Sequence, residues 1–240
     1  MSISAPNYCC VSLPNSAHES NTIVLSSPFV RELLRIFLHR FLKRFFPDPP
    51  PVQWFDTKVL LLGLDGAGKT SIVRRFLEPE KGLAAVAEPT SGFDVRTVTV
   101  PPDVKLEIWE VGGASAIRPF WGRYADASID ALVWVVDGAD ASRLAEAATE
   151  LAGVLQRAPR LRAKPLLVLH SKADLPAAQS ADAIADALGL GAASSDLQRL
   201  RSGPLRVQAT SALDGRGLTE ALQWMNDIIL GREAVRLERT

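Results

Sequence analysis

Eight consecutive residues, Gly63-Leu64-Asp65-Gly66-Ala67-Gly68-Lys69-Thr70, spell the pattern G-x-x-x-x-G-K-[ST]. An apolar run, Val59-Leu60-Leu61-Leu62, precedes them, and a helix-compatible stretch from Ser71 to Leu77 follows. Strand, loop and helix in that order are the context in which the pattern works as a phosphate cradle. The glycines let backbone N–H groups curl around a polyphosphate, and the helix N-terminus behind them adds partial positive charge. Gly63, Asp65, Gly66, Ala67, Gly68 and Ser71 would then surround the phosphates. Lys69 would reach the β- and γ-phosphates, and the Thr70 hydroxyl would bind Mg²⁺. The alternative is a chance glycine-bearing turn, whose odds in a chain of this length are on the order of one per cent.

The other bulk properties narrow the setting. The 240 residues suit one medium α/β domain plus an extension. Lysine and arginine total 27, as do aspartate and glutamate, so overall charge gives no argument for a nucleic-acid partner. No run approaches the roughly 20 apolar residues of a membrane span. The first 25 residues hold no Lys or Arg and no compact apolar stretch, so no secretory signal is expected. Cys9 and Cys10 are adjacent and are the only cysteines, which points to a reducing compartment. They are either unmodified residues of a tail or S-acylation sites beside a membrane helix.

Composition divides the N-terminal region. Residues 1–27 are rich in Ser, Asn and Pro without clear periodicity and read as a disordered tail. In residues 28–46, Phe29, Leu33, Phe37, Phe41 and Phe45 recur at helical spacing, while Arg31, Arg35, Arg40, Lys43 and Arg44 fill the other face. A basic, phenylalanine-rich amphipathic helix suits membrane lipids at an interface, and its charges interrupt the apolar run too often for it to span. It could instead dock on the globular domain. Residues 47–53, opening Pro47-Asp48-Pro49-Pro50-Pro51, end the helix and make a stiff linker.

From about Trp54 to Arg232, strands are expected at Lys58–Leu62, Phe93–Val100, Val104–Val111, Ala131–Val136, Leu166–His170 and Leu205–Ala209. Helices are expected at Lys69–Leu77, Ser142–Gln156, Ala181–Leu188 and Leu218–Leu230, leaving 233–240 as a tail. Strands of nearly continuous apolar residues alternating with helices predict an α/β fold. It would have a mostly parallel six-stranded sheet covered on both faces. The second and third strands, joined by Pro101-Pro102-Asp103, read as a hairpin that adds an antiparallel edge.

Several loops then fall at strand carboxyl ends, where ligands of such sheets bind. Thr90 precedes the hairpin and could complete a Mg²⁺ shell. Glu110 ends a strand before Gly112-Gly113; its carboxylate could hold Mg²⁺ through water, and the Gly113 N–H could meet a γ-phosphate. Ser171-Lys172-Ala173-Asp174 follows one strand and Thr210-Ser211-Ala212 another. An aspartate such as Asp174 can accept two N–H bonds from the edge of guanine, and the Lys172 stem can lie along the base.

Taken together these residues resemble the Arf-like branch of the small GTPases over roughly residues 54–232. The likeness runs through the 63–70 loop, Pro89-Thr90-Ser91-Gly92-Phe93, Trp109-Glu110-Val111-Gly112-Gly113 and Ile117-Arg118-Pro119-Phe120-Trp121 with Tyr124. It continues through Val135-Val136-Asp137, Lys172-Ala173-Asp174-Leu175-Pro176 and Gln208-Ala209-Thr210-Ser211-Ala212. The resemblance implies a P-loop NTPase small G domain preceded by an amphipathic helix, a GTP/GDP switch requiring Mg²⁺, and guanine binding by Ser171, Lys172, Asp174, Ser211 and Ala212. It implies effector proteins that meet Phe93, Trp109 and Tyr124, although for Phe93 and Trp109 ordinary packing explains the residues equally well. An exchange factor and an activating protein would complete the set. Location would be cytoplasmic and peripheral on a membrane, with lipids held by residues 28–46.

Three departures bear on mechanism. Ala114 stands where most Arf-like proteins place the glutamine that orients the attacking water, so no catalytic residue is assigned and intrinsic hydrolysis is expected to be very slow or partner-dependent. Glu110 replaces an aspartate, and the chain resembles a divergent subset that pairs Glu-x-Gly-Gly with loss of the glutamine. Ser171 replaces an asparagine that ties the base to neighbouring loops, so weaker nucleotide affinity is expected. Ser2 in place of glycine removes N-myristoylation. Two functions remain in view: a GTP-binding switch recruiting effectors, and a hydrolysis-deficient scaffold of the same fold that binds partners constitutively.

Overall fold

Val59-Leu60-Leu61-Leu62 has no polar side because its strand is buried on both. In a computed structural model, which describes residues 56–80, 90–100, 104–191 and 196–237, the chain forms β1 (Asp56–Gly63), α1 (Lys69–Leu77), β2 (Phe93–Val100) and β3 (Val104–Val111). It continues through α2 (Trp121–Tyr124), β4 (Ile129–Asp137), α3 (Leu144–Arg157) and β5 (Leu166–Ser171). It ends with α4 (Ala181–Ala187), α5 (Asp196–Leu200), β6 (Leu205–Ala209) and α6 (Leu218–Leu237). The expected segment 28–46, Cys9, Cys10, residues 47–53, Pro89 and the 101–103 turn lie outside the described residues.

The six strands run in the order β2-β3-β1-β4-β5-β6. β3, β1, β4, β5 and β6 are parallel, and β2 pairs antiparallel with β3 from Phe93↔Val111 to Val100↔Val104. The side-chain period of two sends alternate residues of the central strands into two cores. Leu60, Leu62, Leu132, Trp134, Leu166 and Val168 meet Leu151, Val154 and Leu155 of α3 and Ile184 of α4. Val59, Leu61, Val133, Val135, Leu167 and Leu169 meet Ile72 and Val73 of α1 and Leu218, Ala221 and Met225 of α6. The hairpin meets the second core through Leu106 and Ile108, which alternate in β3 with half-exposed Lys105, Glu107 and Trp109, and it reaches the first core at Val111.

The differences from the sequence reading lie at helix ends. The first turn expected of α3 is a 3₁₀ segment, Ala141–Arg143. α6 runs past the expected stop at Leu230, through Gly231 and on to Leu237; an interior glycine weakens a helix by roughly 1 kcal/mol without ending it. The short helices α2 and α5 and the 3₁₀ segments Arg118–Phe120 and Pro159–Ala163 were not expected. They are too short to show a helical period. No helix among the described residues is long and apolar enough to cross a membrane.

Candidate functional site

The carboxyl ends of β1, β3, β5 and β6 bring the separate motifs to one end of the sheet. Between β1 and α1 the 63–70 loop turns through Gly66 and Gly68, whose φ angles of 73° and 91° are left-handed conformations that glycine adopts without penalty. Lys69 is buried, and its ammonium donates to the carbonyls of Gly63 and Leu64, each at 2.9 Å. An ammonium has three donors, so one remains for a phosphate. Burial pushes the Lys69 pKa down to about 8, against the pull of Glu110 and Asp65.

Thr70, Thr90 and Glu110 converge beside it. The Thr70 and Thr90 hydroxyls lie 3.0 Å apart, Thr90 donates to Glu110 Oε1 at 3.0 Å, and Thr70 donates to the same oxygen. Glu110 is 2 % exposed, and its Oε2 has no partner among the described residues. A buried carboxylate with one unsatisfied oxygen and two hydroxyls in a tight corner is an all-oxygen donor set suited to Mg²⁺. An ion held there would offset phosphate charge. The extra methylene of glutamate lets the carboxylate touch both hydroxyls itself.

The two glycines after β3 are clamped by their carbonyls. Trp121 Nε1 donates to Gly112 O at 3.0 Å, and Arg118 Nε donates to Gly113 O at 2.8 Å. Arg118 is buried, and its other nitrogens donate to Asp65 at 2.9 Å and Glu146 at 2.6 Å. Arg143 donates to Asp65 at 2.8 Å and to Glu146 at 2.9 Å. Hydrogen bonding to Arg143 is the largest influence holding the Asp65 carboxyl below the usual range. The Asp65 side chain is thus committed to two arginines, leaving its backbone N–H as the group able to meet a phosphate. Ala114 is exposed; its carbonyl accepts from the N–H groups of Ile117 and Arg118, and its methyl group offers neither donor nor acceptor.

At the far end, Ser171 is buried, and its Oγ lies 2.6 Å from Ala67 O and 3.0 Å from Val136 O. This links β5 to the 63–70 loop. Lys172 holds a left-handed φ of 57°, and its ammonium pairs with Asp137 at 2.5 Å. Asp174 is half-buried, and its carboxylate has no partner among the described residues. Ala173 N–H donates to Thr210 O at 3.0 Å, joining the 171–174 and 210–212 loops, and Ser211 Oγ accepts from Leu213 and Asp214. One cradle, one oxygen corner, two clamped glycines and an uncommitted aspartate therefore share a single rim.

A sequence profile described as the ADP-ribosylation factor family matches residues 53–229. The chain belongs to that family. It is 39% identical over 170 residues to ADP-ribosylation factor-like protein 3 of Chlamydomonas reinhardtii, covering 71% of this chain and 89% of that protein. It is 38% identical over 175 residues to ADP-ribosylation factor-like protein 1 of Saccharomyces cerevisiae, covering 72% and 88%. In structure it is similar to the Arl6 (BBS3) small GTPase of Trypanosoma brucei, solved with the nucleotide analogue GppNp bound. The TM-score is 0.60 and the identity 28%, over 72% of this chain and 96% of that one.

On this Arf-family sheet the aromatic residues gather beside the hairpin. Phe93 is 52 % exposed, stacks on Trp109 at 5.9 Å and tilts against Tyr124 at 5.5 Å. Trp109 and Tyr124 are half-buried against the first core. Phe93 is therefore not core, whereas Trp109 serves packing and surface together.

Sequence reading missed the roles of Arg118, Trp121, Arg143 and Glu146. The first two lay inside a quoted motif, but the motif alone did not say that they hold the glycine carbonyls. His170 was also passed over. It is buried with neither ring nitrogen bonded among the described residues, and burial lowers its pKa.

Proposed function

We propose that this Arf-family chain is a GTP-binding switch of slow or partner-dependent turnover, which recruits effector proteins at a cytoplasmic membrane surface. The convergence of Thr70, Thr90 and Glu110 beside Lys69 carries the reading. It places a hydroxyl from ahead of the hairpin against the phosphate loop, where a γ-phosphate and Mg²⁺ could be sensed together. Asp174, with its carboxylate uncommitted, supports guanine as the base. Phe93, Trp109 and Tyr124 offer the effector an aromatic surface, residues 28–46 would hold the lipid, and an exchange factor and an activating protein would act on the loops around Gly113.

Ala114 and Ser171 favour a second reading, a scaffold of the same fold that binds partners without turnover. Nucleotide content and single-turnover hydrolysis on one purified sample separate the two. The switch reading expects bound guanine nucleotide, with hydrolysis at least about tenfold slower than in an Ala114→Gln variant. Empty protein that does not load GTP would support the scaffold and end the switch reading.

Lys69 supplies a second check. With its pKa near 8 in the free protein, phosphate contact would raise it, so nucleotide binding above that pH must take up a proton. GTP affinity is expected to fall as pH rises from 8 to 9, by up to about tenfold. Calorimetry in buffers of different ionisation enthalpy should report roughly half a proton or more taken up near pH 8.5. Proton release, or none exchanged, would contradict Lys69 as the phosphate partner.

A further inference from the structure

The chain has no net charge, yet one edge of the domain is strongly basic. Residues 157–164 contain Arg157, Arg160, Arg162 and Lys164 and no acid. They close α3 and lead into β5. Arg201, ahead of β6, joins them: its guanidinium donates to Lys164 O at 3.5 Å and Pro204 O at 2.9 Å, while Ser202 and Gly203 N–H groups donate to Arg162 O at 3.0 and 3.2 Å. Arg162 caps the end of α3 through Leu155 O at 2.8 Å. Carbonyl partners orient these cations without cancelling their charge. Among the described residues, the carboxylates that reach the strip are Asp130, 3.7 Å from Lys164, and Glu150, 3.9 Å from Arg157. Arg157 and Arg160 are exposed.

The place of the strip matters as much as its charge. It lies where the parallel strands begin, opposite the carboxyl ends that carry Lys69, Glu110 and Asp174. Asp130 fixes its position: one carboxylate oxygen accepts the Lys58 N–H at 3.1 Å, and the other faces Lys164. Only β4 separates β1 from β5, so the start of β5 stands about 10 Å from β1. Phe93 lies at the other end of its hairpin and on the far side of the sheet. A partner on the strip would therefore leave both the nucleotide rim and the aromatic surface open.

We propose that Arg157, Arg160, Arg162 and Lys164, with Arg201 bracing the loop beneath them, form a second membrane contact that rests on anionic lipid headgroups. This rests on the membrane reading of residues 28–46 and adds to it a contact made by the folded domain itself. A lipid surface fits better than a nucleic acid. The strip runs across the starts of β5 and β6, and neither 157–164 nor 199–204 contains an aromatic on which bases could stack. Cations near an anionic leaflet each add to binding, and the sum is screened by salt.

The test uses the full chain and vesicles of phosphatidylcholine, with or without about a third phosphatidylserine. Wild-type protein is expected to bind the anionic vesicles in a salt-sensitive way. An Arg157→Glu/Arg160→Glu variant should lose at least about tenfold in that affinity, and Arg157→Lys/Arg160→Lys should keep it. Both substitutions are at exposed positions, and thermal melts check the fold; if the double change lowers the midpoint, Arg160→Glu alone carries the comparison. A charge-reversed protein that binds anionic vesicles like wild type overturns the strip and leaves the membrane reading standing. Wild-type protein that binds neither vesicle overturns both. Loss of binding to an RNA duplex with vesicle binding unchanged would also overturn the lipid assignment.

Discussion

A Gly113→Ala variant is expected to keep its fold and to lose at least about a hundredfold in affinity for a GTP analogue, with much less loss for GDP. A Cβ on Gly113 would stand 2.4 Å from Asp65 N and Leu64 C and 2.5 Å from Gly63 O. Those atoms are backbone of the phosphate loop, so no side chain can swing aside. The residue must retreat, and retreat strains the bonds from Arg118 to Gly113 O and from Trp121 to Gly112 O. It also withdraws the Gly113 N–H from the place a γ-phosphate would occupy. A charge-assisted hydrogen bond contributes about 1.5–3 kcal/mol, and a hundredfold is about 2.7 kcal/mol, so one such bond with some added strain accounts for the loss. GDP lacks the group that this N–H would contact. Competition binding with both nucleotides gives the result, and equal losses for the two would show that Gly113 does not discriminate between them.

The same glycine shows what a single sequence reveals and what it hides. The 63–70 loop was legible because its parts are contiguous and strand and helix flank them. The sheet was legible because Val59–Leu62, Leu132–Val136 and Leu166–Leu169 are apolar at every position, which only a strand buried on both faces requires. The clamp on Gly113 was not legible. Arg118 lies 53 residues from Asp65 and 28 from Glu146, and Arg143 lies 78 from Asp65. No periodicity links residues so far apart, and an arginine that turns inward has the same letter as one in solvent. Trp109 shows the same limit at shorter range: its alternation in β3 places it opposite the second core but does not say that Phe93 stacks on it. α5 escaped because five residues give barely more than one turn. The chemistry at Ala114 was plain from the letter alone, since a methyl group cannot orient water in any fold.

Ser171→Asn is expected to slow guanine-nucleotide dissociation by about tenfold or more, a change of about 1.4 kcal/mol in the barrier to release. Ser171 has one hydroxyl proton and two carbonyl neighbours, Ala67 O at 2.6 Å and Val136 O at 3.0 Å. One proton cannot fully satisfy both, and none is left for a base. Asparagine has two N–H donors and a carbonyl acceptor. It could hold Ala67 O with one donor and keep polar capacity for the nucleotide, tightening the link between β5 and the phosphate loop where Ser171 Oγ meets Ala67 O. The larger side chain enters a position that is 2 % exposed, so overpacking of about 1–3 kcal/mol is a real cost. That cost falls on free and loaded protein alike. It lowers the melting midpoint of both and leaves the difference between them, which sets the dissociation rate, to the new hydrogen bonds. The two effects therefore separate experimentally. Displacement of a fluorescent guanine nucleotide by excess unlabelled nucleotide reads the rate, and melting of the loaded and free proteins reads the packing. A variant that melts lower yet releases nucleotide more slowly matches the geometry. One that releases at the wild-type rate, or faster, would show that the serine does not weaken nucleotide retention.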